Sequence, residues 1–221
     1  MPVYAVVVAA GRGKRFGAAK QFFLFRGCPV LIHTLKHFSA NKNITGILVA
    51  VPRSRIDSTK KLIKKWGIEK VKAVIPGGAR RQDSVANCLK KIKSSSGIVA
   101  IHDGVRPLIS QGLINKGIKL CSRYGAVVFG LPVHETIKKV KNNRVIKTVA
   151  RTGLYLVQTP QFFKLRVLKR AFKSADFSYE YTDEAALLEE CGIPVYLFKG
   201  KFGNIKITEK SDLKFLERCF K

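Results

Sequence analysis

The apolar run Tyr4–Ala9 (YAVVVA) leads almost directly into Gly11-Arg12-Gly13, and that junction narrows the folds open to the chain. A run without polar alternation is the mark of a strand buried on both faces, as in parallel sheets covered on each side by helices. In such sheets the ligand lies beyond the carboxyl ends of the strands, where this glycine loop falls. The same pattern recurs. Ile47–Val51 (ILVAV, stopped by Pro52), Val71–Ile75, Ile98–Ile101 (IVAI, ended by His102-Asp103) and Ala126–Phe129 are expected strands. Residues 30–39, 54–66, 83–91 and 110–123 are expected helices, the first starting after Pro29, where a missing N–H costs nothing. Strands alternating with helices imply parallel pairing through right-handed crossovers. The chemistry-bearing segments sit where that fold needs them: Gly11–Gly13 after the first strand, Gly77-Gly78 after the third, His102-Asp103-Gly104 after the fourth.

The pattern changes after Gly130. Residues 132–152 hold short β-like pieces around Asn142-Asn143, a hairpin-turn pair, and are expected to project as an arm that joins subunits. A helix over 182–191 capped by Thr182, a strand over 195–198 and a last helix over 210–219 return the chain to the sheet. A length of 221 residues suits one domain, residues 1–221, with the arm as its appendage.

No apolar run approaches the ~20 residues of a membrane span, and the apolar start lacks the basic segment of a secretory signal, so a cytoplasmic location is expected. Cys28, Cys88, Cys121, Cys191 and Cys219 are widely spaced and odd in number, which fits reduced thiols better than a zinc site or disulfide framework. The formal net charge is +28. Its lysines are spread along the chain, without a basic arm or recognition motif, and so suit a solvated surface that adheres to polyanions at low salt.

In the glycine loop, small residues after a strand let backbone N–H groups approach a phosphate closely. Glycines at 11, 13 and 17 miss the dinucleotide spacing by one residue, and no G-K-[ST] closes a Walker A loop. Arg12, Lys14 and Arg15, with Lys20 beyond, suit a triphosphate, whose reaction builds charge that fixed cations stabilise. By itself the loop is equally compatible with a solvated turn.

Seven motifs in order, AAGRGKRFGAAKQF, GGARRQDSV, HDGVRP, PVHETIK, TPQFF, TDEA and NIKIT, resemble the 2-C-methyl-D-erythritol 4-phosphate cytidylyltransferase family from about residue 3 to 213. The resemblance implies a Rossmann-like nucleotidyltransferase fold, a homodimer with arm exchange, and transfer of CMP from CTP to the acceptor phosphate with release of pyrophosphate. It implies Arg15 on the triphosphate and Lys20 on the α-phosphate as catalytic residues. Ala9, Ala10, Gly11 and Gly13 would hold the nucleotide, with Gly77, Gly78 and Ser84 near the cytosine and Asp103 on ribose or acceptor hydroxyls. Arg106 lies in the same loop. Thr136 and Arg151 on the arm, with Thr159 and Lys206, would cradle the acceptor. Mg2+ would be held mainly by CTP phosphates, which agrees with the lack of an Asp/Glu cluster. Ala19 stands where the family usually has proline, Ala79 and Arg80 where acids are usual, and Glu135 where aspartate is frequent.

Other polar residues have plainer readings. His102, His134, His33 and His37 lack the company of further metal ligands, which favours packing or hydrogen-bonding roles. Asp183-Glu184 suits either magnesium or a helix start. Two rivals remain: a ribitol 5-phosphate cytidylyltransferase, and a polyanion-binding module on the same fold.

Overall fold

The computed structural model describes residues 1–219, apart from the side chains of Lys14 and Cys219. In chain order the elements are β1 (Val3–Val8), β2 (Leu24–Phe25), β3 (Cys28–Pro29), α1 (Val30–Ser39), β4 (Gly46–Val51), α2 (Ile56–Lys65), β5 (Val71–Pro76), α3 (Arg81–Lys91) and β6 (Ile98–Asp103). There follow α4 (Gln111–Tyr124), β7 (Ala126–Pro132), β8 (Ile137–Lys141), β9 (Arg144–Val149), β10 (Tyr155–Lys164), α5 (Leu165–Ser174), α6 (Glu184–Glu190), β11 (Tyr196–Lys199) and α7 (Ser211–Cys219).

Seven strands form one sheet in the order β11-β7-β10-β6-β1-β4-β5. All pairings are parallel except the two made by β10. The apolar runs lack alternation because both faces are covered. Val3, Ala5 and Val7 of β1 point into one core with α1 and α4, while Val6 points into the other with α3, α5 and α6. β4 and β6 divide their side chains in the same way. The chain builds β1, β4 and β5 in one direction, then returns to place β6 on the other side of β1. That reversal opens a crevice at the carboxyl ends of β1 and β6.

Several expectations need correction. His102 and Asp103 lie inside their strand rather than beyond it: they pair with Val7 and Val8 as its last two residues, their polar side chains satisfied inside the protein. Thr182 does not cap its helix. Asp183 does, its Oδ1 accepting from the Ala186 N–H at 2.9 Å, and the helix is shorter than expected. Four elements escaped the sequence reading. β2 and β3 form a small hairpin turning at Arg26-Gly27, both at positive φ. β10 runs antiparallel through the middle of the sheet despite Pro160, which falls at a register break between Gln158 and Phe162, one of the places a strand tolerates proline. α5 hides in a lysine-rich stretch, where Leu165, Leu168 and Ala171 are its buried side chains.

The expected hairpin forms, β8 pairing with β9 across Asn142-Asn143, both at positive φ. Cys28, Cys88 and Cys121 are buried free thiols, and Cys191 is half-buried and free; the side chain of Cys219 lies outside the described residues. Among the described residues no helix is long and apolar enough to cross a membrane.

Gly117 lets α4 lie directly on β10: a Cβ there would stand 2.1 Å from the Phe162 ring. Gly117→Ala is expected to destabilise the fold by about 1–3 kcal/mol through overpacking, with partial recovery in the Phe162→Leu background. Urea unfolding of the single and double variants checks this, and additive losses would refute the clash.

Candidate active site

The loops after β1, β5 and β6 close around a cavity of about 370 Å³ lined by Ala9, Ala10, Gly11, Gly13, Arg15, Lys20, Gly78, Ser84, Asp103 and Lys206. Ten residues singled out from the sequence are thus brought to one place. Gly13 is there because nothing else fits: at φ +67 its Cβ would meet the Ala18 carbonyl oxygen at 1.9 Å. Gly77 lies just behind the lining, where a Cβ would stand 2.2 Å from that of Ala10. Its N–H donates to Val51 O at 2.8 Å. Ser84, in the first turn of α3, accepts from the Gly78 N–H at 3.0 Å and donates to Arg80 O at 3.2 Å. Arg12 is exposed and outside the cavity; the side chain of Lys14 lies outside the described residues.

Asp103 is the electrostatic centre. Its carboxylate meets Lys206 Nζ at 2.9 Å and the Nε atoms of Arg81 and Arg106 at 3.4 Å each. Burial by itself raises a carboxyl pKa, but the charges of Arg81, Lys206 and Arg106 prevail and hold Asp103 well below the usual carboxylate range. Behind it runs a chain of hydrogen bonds with one consistent direction. The Arg106 carbonyl only accepts, so His102 Nε2 carries the hydrogen at 3.2 Å. Nδ1 therefore accepts from the Thr159 hydroxyl at 3.1 Å, and that oxygen accepts from the Asp103 N–H at 3.1 Å. Complete burial pushes the His102 imidazole down to about 3, so it stays neutral and keeps this tautomer. Hydrogen bonding is the role expected of it.

Thr159 and Arg106 are consequently supports of Asp103 rather than lining residues. Arg106 Nη1 also donates to Asn204 O at 2.8 Å, and Asn204 Nδ2 donates to Thr159 O at 2.7 Å, which sets the segment carrying Lys206. Thr136 and Arg151 are exposed on the arm and do not reach this chain's own cavity; Arg151 Nη1 donates to the His134 carbonyl.

Four supporting residues lie outside the set of site residues expected from the sequence. Gln21, 2% exposed, donates from Nε2 to Ala9 O at 2.8 Å and Gly11 O at 3.0 Å, clamping the glycine loop; its position beside Lys20 was the available clue. Arg81 Nη1 donates to both oxygens of Glu184 at 2.7 Å, so Glu184 is engaged at the base of α6. Burial lowers the Arg81 pKa, but Glu184 and Asp103 outweigh it and raise it overall. Asn204, inside the NIKIT motif, is the fourth. Arg80 pairs with Asp83 at 2.9 Å and donates to Phe177 O and Tyr179 O, which accounts for a cation at that position. Asp183 is likewise committed, to its cap and to Gln161 Nε2 at 2.6 Å.

Lys20 lies within 3.5 Å of Thr208 O. Burial, then the positive charges of Lys206 and Arg15, lower its pKa against the opposing pull of Asp103 and Asp212. A crowd of cations around one carboxylate, with backbone N–H groups beside it, is a receptor for a polyphosphate.

Known proteins resemble this chain in sequence and fold. Residues 3–221 match the family model described as 2-C-methyl-D-erythritol 4-phosphate cytidylyltransferase. Proteins of that name from Dictyoglomus thermophilum and Alkaliphilus metalliredigens are 39% and 40% identical, over 97% and 96% of this chain and 95% and 90% of theirs. The crystal structure of the Francisella tularensis protein of that name superposes with a TM-score of 0.84 at 31% identity, covering 99% of both chains. That from Thermus thermophilus gives 0.79 at 32% identity, covering 99% of this chain and 98% of the other. Fold and sequence kinship agree: the chain belongs to the 2-C-methyl-D-erythritol 4-phosphate cytidylyltransferase family.

Proposed function

We propose that this enzyme transfers CMP from CTP to 2-C-methyl-D-erythritol 4-phosphate in non-mevalonate isoprenoid biosynthesis, giving 4-diphosphocytidyl-2-C-methyl-D-erythritol and pyrophosphate. The carrying observation is a cavity at the β1–β6 crevice that Arg15 and Lys20 line together with Arg81 and Lys206, the last two paired to Asp103. An acceptor phosphate oxygen attacks the α-phosphorus of CTP, and the bond from that phosphorus to the bridging oxygen of pyrophosphate breaks. The attacking oxygen is already anionic, so no general base is needed. Lys20 stabilises the charge that grows on the five-coordinate α-phosphorus, and Arg15 that on the departing pyrophosphate. Gly78 and Ser84, which line the same cavity, would approach the cytosine.

Magnesium enters with the triphosphate. Asp103, the one acid among the described lining residues, already faces three cations, so the donor set suits an ion held by phosphate oxygens rather than by a carboxylate cage. Buried free thiols support a reducing, cytoplasmic setting.

The acceptor site is shared between two copies of the chain. Two features support this: Thr136 and Arg151 lie away from their own cavity, and the arm and neighbouring sheet edge expose Val140, Val145, Ile146, Tyr155, Leu156 and Leu197. A symmetric dimer burying that surface would bring each arm to the partner's cavity.

Magnesium-dependent pyrophosphate release from CTP, with methylerythritol phosphate and ribitol 5-phosphate in parallel, tests the reaction. Release with the first alone is expected; release with ribitol phosphate alone would replace the acceptor. For the shared site, mixing inactive Lys20→Ala and Arg151→Ala proteins is expected to restore up to about a quarter of the activity per dimer, as one intact site forms in half of randomly mixed dimers. No recovery from verified mixed dimers excludes arm exchange.

A further inference from the structure

Arg15, Lys20 and Lys206 line one cavity, and each raises the cost of holding the others there. With Lys206 already paired to Asp103, something besides charge must keep the three in place when no triphosphate is bound. The structure holds a third apolar cluster, separate from the two cores of the sheet, made of Phe16, Phe25, Val30, Val105, Ile207 and Leu216. All six are buried, Leu216 completely.

Its members are adjacent in sequence to the charged residues of the site. Phe16 follows Arg15. Ile205, packed against the cluster, and Ile207 flank Lys206. Val105 lies between Asp103 and Arg106. The Ile207 N–H donates to Val105 O at 2.9 Å, so the strand-end loop and the C-terminal segment are joined by backbone as well. α7 closes the cluster from outside the cavity. Asp212 Oδ2 accepts from the N–H groups of Thr208 (2.6 Å) and Glu209 (2.9 Å), fixing the turn whose Thr208 carbonyl faces Lys20. Arg26 Nη2 donates to Glu217 O at 3.3 Å, tying the helix to the β2–β3 hairpin.

We propose that Leu216 and Phe16 are positioning residues: through this satellite cluster, α7 holds Arg15, Lys20 and Lys206 in register for the triphosphate against their mutual repulsion. Neither side chain lines the cavity, so their influence passes through the residues beside them. As it concerns catalysis, the inference rests on the cytidylyl-transfer function; as it concerns triphosphate binding, it does not.

The test compares Leu216→Ala with Leu168→Ala, a fully buried leucine of α5 in the core on the opposite face of the sheet. Both are measured at a temperature where circular dichroism shows them folded, with Leu216→Val as the milder variant should alanine unfold the chain. The probes are inorganic tripolyphosphate binding by calorimetry and pyrophosphate release with varied CTP. Because small misplacements at a reacting centre have large effects, Leu216→Ala is expected to weaken tripolyphosphate binding and lower kcat/KM for CTP by roughly tenfold or more. Leu168→Ala should stay within about threefold of wild type, and Leu216→Met should recover most of the loss. Equal tripolyphosphate affinity in Leu216→Ala and wild type, or equal losses in Leu216→Ala and Leu168→Ala, would overturn the proposal. Wild-type protein that binds tripolyphosphate without releasing pyrophosphate would instead count against the reaction and leave the binding comparison decisive.

Discussion

Replacing Lys20 by alanine is expected to lower kcat by about 10²–10³-fold while changing the affinity for Mg–CTP only a few-fold, the size of effect seen when one preorganised stabiliser of developing charge is removed. In the proposed reaction ground-state CTP would be held by many groups, including the backbone of the glycine loop and Arg15, so one cation is a small share of its binding. The α-phosphate gains charge only as the acceptor attacks, and an interaction that strengthens at that moment acts on turnover. Single-turnover rates and equilibrium CTP binding on the same preparation separate the two quantities. Equal losses in both would make Lys20 a ground-state ligand. Burial and the charges of Lys206 and Arg15 lower the Lys20 pKa in the free protein. The alkaline limb of kcat/KM, which reports free enzyme, should therefore begin below the ordinary lysine value of about 10.4 and disappear in Lys20→Ala.

Asp103→Asn should be the most destabilising polar substitution in the site, at about 3–5 kcal/mol, the usual cost of leaving buried charge without its partner. Asparagine keeps the shape but faces Arg81, Arg106 and Lys206 without a charge. Arg106 is as buried as Asp103, so water offers it little compensation, whereas Lys206 is half-exposed and can turn to solvent. The pH dependence has a definite sign. The folded-state pKa of Asp103 is depressed, so its contribution is fully present above the unfolded value of about 3.9 and is lost as pH falls toward the lower folded value. The stability gap between wild type and Asp103→Asn should stay constant from neutral pH to about 5 and narrow only in stronger acid. Chemical denaturation at several pH values checks this; a gap that closes near neutrality would show that Asp103 is not held in its ionised form by these cations.

The departures from the family pattern acquire different meanings once seen in three dimensions. Arg80, in place of an acid, is absorbed by Asp83 and by the carbonyls of Phe177 and Tyr179, and so anchors a neighbouring loop. Ala19, in place of proline, is followed at once by Lys20 and by Gln21, whose amide fastens this turn to Ala9 and Gly11. The restraint that proline would place on the backbone is here accompanied by a side-chain clamp.

Local sequence determined the elements whose cause is local. β1, β4 and β6 were legible because a strand buried on both faces must be apolar at every position, whatever covers it. The arm hairpin was legible because Asn142-Asn143 supplies two residues that accept positive φ, and the crevice because glycines follow strand ends where ligands bind. β10 was not, since its central place and the register break that admits Pro160 are properties of its neighbours β6 and β7. α5 was masked by the cations on its solvent face, Arg166, Arg170 and Lys173. At the site, the sequence indicated which residues carry charge, and tertiary structure decided which of them face the cavity. Arg81 meets Glu184 from 103 residues away, Arg106 turns inward to Asn204, and the Thr159 hydroxyl accepts from the Asp103 N–H 56 residues away. A local pattern records whether a side chain must be buried or exposed; the partner that buries it is chosen by the packing of distant segments, and only the folded chain contains that choice.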